Sequence, residues 1–167
     1  MRIGVSSETP VERSFGKEVL SHNAEDIDMS FMTSGTAPLL DSHDMERQIG
    51  VIEEFKLDET AKRTIAVVRF GTSALAQEVY QDVLDGIKRN ISVGYSITKM
   101  ERATNDIIGD HYRASWQPME ASVVAIPADR DFLKVGVGRS KNKQNQTTKV
   151  KIMENEKQEI NPVSYTH

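Results

Sequence analysis

His43 has the most suggestive surroundings of the four histidines in the sequence. It lies in the segment Pro38-Leu-Leu-Asp-Ser-His-Asp, where an apolar pair leads into a polar cluster, as at the end of a buried strand. An imidazole titrates near neutral pH, so His43 could act as a general base. The carboxylates Asp41, Asp44 and Glu46 could instead hold a metal with His43, although a second nearby histidine is lacking. Local sequence alone favours a third interpretation, an ordinary surface turn.

Ser92 is the hydroxyl with the best-placed neighbours. In Ile91-Ser-Val-Gly-Tyr-Ser, strand alternation puts Ser92, Gly94 and Ser96 on one face. A glycine within a strand often marks close approach by another backbone. Ser92 could therefore attack an extended peptide, provided that an adjacent base accepts its proton. The alternative is the polar outer face of an amphipathic strand.

Glu120 begins the apolar segment Met119-Glu-Ala-Ser-Val-Val-Ala-Ile. A carboxylate at the start of a buried strand needs a partner, because unpaired burial of a charge is costly. Glu120 could orient the His43 ring and stabilise its cation. A solvated charge at the end of a strand is the simpler alternative.

The elements that would position these residues are mainly strands. Patterns rich in β-branched or alternating residues predict strands at Ile49–Leu57, Thr64–Phe70, Ile91–Thr98, Tyr112–Trp116 and Met119–Ile126. The first two would form a hairpin, and Pro118 would separate the last two. One helix is predicted from Ser73 to about Asn90, with Leu75, Val79, Val83 and Ile87 along one face, and a shorter helix over Ala24–Thr33.

Composition narrows the classes of function. The 167 residues carry a net charge of −4 and include no Cys, which excludes a thiol nucleophile, a disulfide framework and a thiolate metal site. Mild acidity argues against sequence-independent binding of nucleic acid. No apolar run is long enough to span a membrane, and the phosphate-binding loop, the nucleophile elbow and the zinc-protease motif are absent.

The chain divides by composition near Gly138. Residues 139–167 hold six basic and three acidic residues, so they carry +3, and residues 1–138 carry −7. The second segment has few apolar side chains, which predicts a flexible polar and basic tail after a single domain. The length agrees with one domain and a tail.

Taken in order, the motifs resemble the prohead (capsid maturation) serine proteases of tailed bacteriophages. The resemblance is to the protease part of protease–major-capsid fusion proteins, and more distantly to herpesvirus assemblins. It covers about residues 6–140. The segments that carry it are Ser6-Ser-Glu-Thr-Pro-Val-Glu-Arg, Phe15-Gly-Lys-Glu-Val-Leu-Ser-His, Pro38-Leu-Leu-Asp-Ser-His-Asp, Ile49-Gly-Val-Ile-Glu, Val68-Arg-Phe-Gly-Thr-Ser, Asp85-Gly-Ile-Lys-Arg-Asn-Ile-Ser-Val-Gly-Tyr, Trp116-Gln-Pro-Met-Glu-Ala-Ser-Val-Val, Pro127-Ala-Asp and Val135-Gly-Val-Gly-Arg-Ser.

The resemblance implies roles for particular residues. Ser92 would be the nucleophile, His43 the general base and Glu120 the acid that orients the base. His111 is the alternative third member, since assemblins use a second histidine there. The loop at Arg130 would contribute a backbone donor to the oxyanion hole by analogy with assemblins. No metal or cofactor is expected.

The resemblance also implies a fold and a biological setting. The fold would be α+β, a mainly antiparallel β-barrel with a few flanking helices, as in assemblin. Residues 1–138 would be the protease domain, and 139–167 a tail that serves as a processed linker. The enzyme would cleave the phage major capsid protein, its scaffold segment and itself inside the assembling prohead, in the host bacterial cytoplasm.

Partners and rival functions complete the expectations. Neither nucleic acid nor a membrane is expected as a partner, whereas self-association would be consistent with assemblin dimerisation. A non-catalytic capsid assembly or scaffold module of the same fold is the first alternative. A metal-dependent hydrolase that uses Asp41, His43 and Asp44 is the second.

Overall fold

The computed structural model describes residues 1–138. These residues form nine strands, one α-helix (α1, Ala74–Leu84) and a short 3-10 helix at Ala24–Asp26. The strands are, in chain order, β1 Arg2–Ser7, β2 Val11–Arg13, β3 Gly16–Leu20, β4 Pro38–Asp41, β5 Asp44–Asp58, β6 Arg63–Phe70, β7 Asn90–Asn105, β8 Gly109–Val124 and β9 Gly136–Val137. Within this part of the chain no helix is long and apolar enough to cross a membrane.

All nine strands belong to one mixed sheet, and β8 is its central strand. The order is β2-β3-β8-β4-β5-β6-β1-β9, with β7 also paired to β8. β7 runs antiparallel along one edge of β8 for most of its length. On the other edge, β3 and then β4 pair with different parts of β8, and both run parallel to it. The long strand β8 therefore brings three distant segments of sequence together.

The expected fold class, an α+β antiparallel barrel with flanking helices, is wrong. The parallel pairs β3–β8 and β4–β8 make the sheet mixed, and no ladder joins its terminal strands β2 and β9 among residues 1–138. The core includes side chains from distant strands, such as Ile3 of β1 and Ile91 of β7. The sheet is thus open, and its strands contribute to one core cluster. Only one α-helix packs on it in the described part of the chain.

The strand predictions agree best with the structure where a strand pairs with its neighbour in the sequence. β5 and β6 form the predicted antiparallel hairpin. By contrast, the predicted break at Pro118 is wrong, because β8 passes through it as a single strand. The register shifts at this point, where Gly94 pairs with Glu120 and Tyr95 with Pro118. A bulge accommodates a proline, since its missing N–H then removes no regular ladder bond.

The predicted helix forms but is shorter than expected. Ser73 caps it through a hydrogen bond from the Ala76 amide to Oγ (3.2 Å). It ends when Gly86 takes a left-handed conformation (φ 76°) and the Ile87 amide bonds the Asp82 carbonyl (2.8 Å). This is a Schellman C-terminus, and it leaves Ile87 exposed.

The second predicted helix, over Ala24–Thr33, is wrong beyond its first turn. Ile27 leaves the helical path to form a parallel bridge with Trp116 of β8. Pairing with the central strand therefore overrides the local helical pattern. The predicted tail, 139–167, and its role as a processed linker lie outside the described residues.

Candidate active site

His43 occupies the two-residue turn between β4 and β5. Asp41 and Asp44 pair across the turn, and both central residues, Ser42 and His43, are left-handed (φ 56° and 59°). These are the angles of a type I′ turn, which usually requires glycine or asparagine. Arg47 bonds the Asp41 carboxylate (Nη2–Oδ2 2.8 Å) and braces the base of the turn. Unfavourable backbone angles of this kind are typical of functional sites.

A buried carboxylate holds the His43 ring. His43 Nδ1 hydrogen-bonds Glu120 Oε1, and the Glu120 side chain is only 5% exposed, whereas the His43 side chain is 42% exposed. Ser122 Oγ donates to Glu120 Oε2 (2.6 Å) and accepts the His43 backbone N–H (3.0 Å). With Nδ1 committed to the carboxylate, Nε2 is the nitrogen positioned for proton transfer.

Gly94 makes room for this arrangement. It pairs with Glu120 across the β7–β8 ladder, and a Cβ built on Gly94 would lie 2.2 Å from Glu120 Oε1. The prediction that another backbone closely approaches Gly94 is wrong in its partner, because the approach is made by the Glu120 side chain. Gly94 therefore allows Glu120 to lie across β7 and reach the histidine.

Ser92 lies at the same cavity as His43. It pairs with Ser122, two positions along β7 from Gly94, and is 8% exposed. Ser92 and His43 both line a cavity of about 180 Å³. No hydrogen bond joins the two side chains in the described structure. In enzyme structures without substrate, such bonds are often long or poorly aligned, and they tighten in the substrate complex.

The two remaining site predictions fall elsewhere. His111 is nine residues from Glu120 on β8, about 30 Å along an extended strand, and its Nδ1 bonds the Gly109 carbonyl (2.9 Å). Its placement disagrees with a role as third member. Arg130 is exposed and follows Asp129, which lines the cavity. Asp129 Oδ2 accepts the Ser7 amide (2.8 Å) and hydroxyl (2.6 Å), which ties this loop to β1.

The proposed metal ligands are otherwise engaged. Asp41 is paired with Arg47, His43 Nδ1 with Glu120, and Asp44 accepts the Glu46 amide (2.9 Å). Among residues 1–138, no group of three or more His, Asp or Glu side chains is arranged to hold a metal ion. The residues around His43 therefore suit proton transfer better than metal binding.

The structure contains a second serine–histidine pair, which the sequence does not predict. Ser6 Oγ and His22 Nε2 are 2.8 Å apart, and His22 Nδ1 donates to the Leu20 carbonyl (2.9 Å). Ser6 also bonds Thr64. Burial of the ring lowers the pKa of His22, which favours the neutral form. No local pattern marks this pair, because Ser6 lies on β1 and His22 lies in the loop after β3, 16 residues away.

The chain is similar in sequence to a phage protein. The chain is 42% identical over 163 residues to the major capsid protein of Halomonas phage phiHAP-1. The chain is related to part of a phage capsid protein. The match covers 94% of this chain but 26% of that protein, so the chain spans about a quarter of the length of its curated relative. No protein-family model matches the chain. No solved structure matches it.

Proposed function

We propose that this chain is a serine endopeptidase that acts in phage capsid assembly. One observation carries the proposal: the His43 ring is held by the buried carboxylate of Glu120 at the cavity that Ser92 also lines. A base, the acid that orients it and a hydroxyl at one cavity are the groups that acyl transfer requires. The capsid setting is supported by the identity of the relative.

The catalytic cycle follows from these three groups. His43 Nε2 would accept the Ser92 proton as Oγ bonds to the scissile carbonyl carbon. Glu120 would stabilise the resulting imidazolium. The tetrahedral intermediate would collapse as His43 returns the proton to the leaving amine, which breaks the C–N bond and leaves an acyl-enzyme. Water would then attack, with His43 again the base, and release the acid and free Ser92.

The substrate would be an extended peptide. Within residues 1–138, β7 forms a ladder only with β8, so the other edge of the Ser92 strand can pair with a peptide. We propose the major capsid protein, its scaffold segment and the chain itself as substrates, cleaved inside the assembling prohead within the host. A loop donor near Arg130 would complete the oxyanion hole.

A second candidate is a non-catalytic capsid assembly module. Taken alone, the comparison supports this candidate better, because the relative is described as a major capsid protein. The absence of a Ser92–His43 hydrogen bond in the described structure also favours it. In this alternative, the Glu120–His43 pair would serve only to fix the β4–β5 turn.

A fluorophosphonate separates the two candidates. This reagent forms a stable Oγ–phosphorus bond with an activated serine and expels fluoride. We expect one adduct per chain, mapped by peptide mass to Ser92 and absent from Ser92→Ala. Ser6→Ala is the matched control, because Ser6 lines the same cavity and already bonds a histidine. An adduct on Ser6, or none, would contradict the proposed nucleophile.

Cleavage is tested with the cognate coat and scaffold proteins. We expect the intact masses of these proteins, and of the chain itself, to fall to defined products over time. The Ser92→Ala variant should leave all of them intact. Unchanged masses with the wild-type chain, together with no fluorophosphonate adduct, would support the assembly module instead.

A further inference from the structure

A buried carboxylate lines the cavity beside Ser92 and takes no part in the proposed chemistry. Glu18 of β3 is 4% exposed and belongs to the same cavity wall as Ser92 and His43. Tyr95 donates its hydroxyl to Glu18 Oε1, and Arg13 Nη2 lies 3.6 Å from the same oxygen. Burying a carboxylate is unfavourable unless it is paired and hydrogen-bonded.

The second oxygen of Glu18 lacks a comparable partner. Both contacts go to Oε1, and no hydrogen bond from residues 1–138 reaches Oε2. Burial, followed by the bond to Glu18, raises the pKa of Tyr95 to about 12. Tyr95 therefore remains a protonated donor at neutral pH and holds the carboxylate in place. Glu18 is thus fixed at one oxygen and can accept a ligand at the other.

The remaining wall suits an aliphatic chain that ends in a positive charge. Val5, Val11, Leu20 and Val93 contribute apolar surface to the cavity. Such a surface covers the methylene groups of a lysine or arginine while the charged end meets a carboxylate. The other acidic group in the wall, Asp129, is already bonded to Ser7. Glu18 is therefore the carboxylate that can receive a cation.

Arg13 shows that a guanidinium fits against Glu18. Its side chain is 37% exposed and comes from β2, a three-residue strand that pairs only with β3 in the described structure. Arg13 Nη2 also donates to the Tyr95 hydroxyl (2.9 Å). A half-exposed arginine on a short terminal strand can be displaced by a competing cation at small cost.

We propose that this cavity binds a lysine or arginine side chain next to the scissile bond, with Glu18 as the recognition carboxylate. Tyr95 positions Glu18, and Arg13 occupies the carboxylate until the substrate replaces it. The inference rests on the proposed peptidase function. The opposite arrangement, in which Arg13 recognises an acidic side chain, becomes an outcome of the test.

Peptidyl diphenyl phosphonates measure this preference directly. Three otherwise identical probes carry the lysine, norleucine or glutamate analogue at the phosphonate position, and intact mass gives the rate at which each modifies Ser92. We expect the full-length chain to react at least about tenfold faster with the lysine probe than with norleucine, as for a hydrogen bond to a charged group. In Glu18→Gln the ratio should fall to about threefold or less.

Glu12→Gln is the matched control. Glu12 adjoins Arg13 on β2 but is exposed and does not line the cavity, so the variant makes the same change in net charge. We expect it to keep the lysine preference. If both variants lost the lysine preference equally, the preference would come from net charge and not from Glu18, and the inference would be overturned.

The outcomes separate this inference from the function on which it rests. Fluorophosphonate labelling of Ser92 without a lysine preference would overturn the inference and leave the peptidase intact. A faster reaction of the glutamate probe would overturn it in favour of recognition by Arg13. Failure of every reagent to modify Ser92 would overturn the peptidase proposal and this inference together.

Discussion

Two serine–histidine arrangements each contribute a serine to the wall of the same cavity, and they differ in what each histidine contacts. Ser6 bonds His22 directly, but the His22 ring is fully buried and its second nitrogen meets the Leu20 carbonyl and not a carboxylate within residues 1–138. Ser92 makes no bond to His43, yet the His43 ring is half exposed and its second nitrogen meets Glu120. The direct serine–histidine hydrogen bond thus belongs to the pair whose histidine is buried.

The difference shows why a short serine–histidine distance is a poor guide to catalysis. A general base must become a cation during the reaction, and a carboxylate stabilises that cation far better than a carbonyl does. It must also meet the substrate. His22 fails on both counts, because burial lowers its pKa and excludes a ligand. His43 meets both requirements, because its ring is half exposed and its Nδ1 contacts the Glu120 carboxylate.

Glu120→Gln is expected to have the largest effect. The amide keeps the size of the side chain but cannot stabilise an imidazolium, so the rate of fluorophosphonate labelling at Ser92 should fall by about 10³-fold or more. Glu8→Gln is the matched control, because Glu8 Oε1 accepts the His22 backbone N–H (2.8 Å) and thus borders the other histidine. Equal losses in both variants would remove the distinction between the two pairs.

Gly94→Ala is expected to have the second-largest effect on labelling, because it displaces the same carboxylate. The added Cβ would lie 2.2 Å from Glu120 Oε1, so Glu120 must leave its bond with His43. We expect labelling to slow by about 10²-fold, with a loss of about 1–3 kcal/mol in the free energy of unfolding. Gly71→Ala is the control, since its Cβ would make only ordinary contacts, at 3.7 Å. Full activity in Gly94→Ala would contradict the positioning role of Gly94.

Strand alternation can be predicted from the sequence, whereas the pairing of strands that are distant in the chain cannot. Alternation put Ser92 and Gly94 on one face, and the structure agrees, because both pair with β8 residues on the His43 side. The parallel pairing of β4 with β8 joins segments about 80 residues apart, and no local pattern encodes it. For the same reason, no local pattern identifies the Ser6–His22 contact, and the prediction of a strand boundary at Pro118 is wrong. Ser122 could be predicted to lie beside Glu120, since it is two positions after Glu120 on the same strand.

Ser122→Ala tests the support beneath the proposed catalytic pair. Its hydroxyl bonds both Glu120 Oε2 and the His43 amide, so its loss leaves two polar groups without that partner. We expect about tenfold slower labelling and a loss of about 1–3 kcal/mol in stability. Ser115→Ala is the control, because Ser115 is on the same strand and also bonds a carboxylate, that of Asp26 (3.3 Å). A loss of stability with unchanged labelling would limit Ser122 to a structural role.

The buried Ser6–His22 pair should make the free energy of unfolding depend on pH under mildly acid conditions. Because burial lowers the pKa of His22, the unfolded chain binds a proton more readily than the folded chain below about pH 6.5. The stabilisation that neutral His22 contributes is therefore fully present above that pH and is lost as the pH falls towards the folded-state pKa. Its slope is at most about 1.4 kcal/mol per pH unit. The charged groups that act on the ring are Glu8, Asp129 and Arg113.

Urea unfolding of the wild-type chain and His22→Gln between pH 7 and pH 5 measures this slope. The variant should be less stable at pH 7, since it loses the imidazole bonds, but its stability should fall less steeply with acid. His43→Gln is the comparison, because that ring is exposed and paired with a carboxylate. Parallel curves for wild type and His22→Gln would mean that His22 titrates normally. Burial of the ring would then not explain why His22 and His43 differ as candidate bases. Only the accessibility of each ring to a substrate would remain as the explanation.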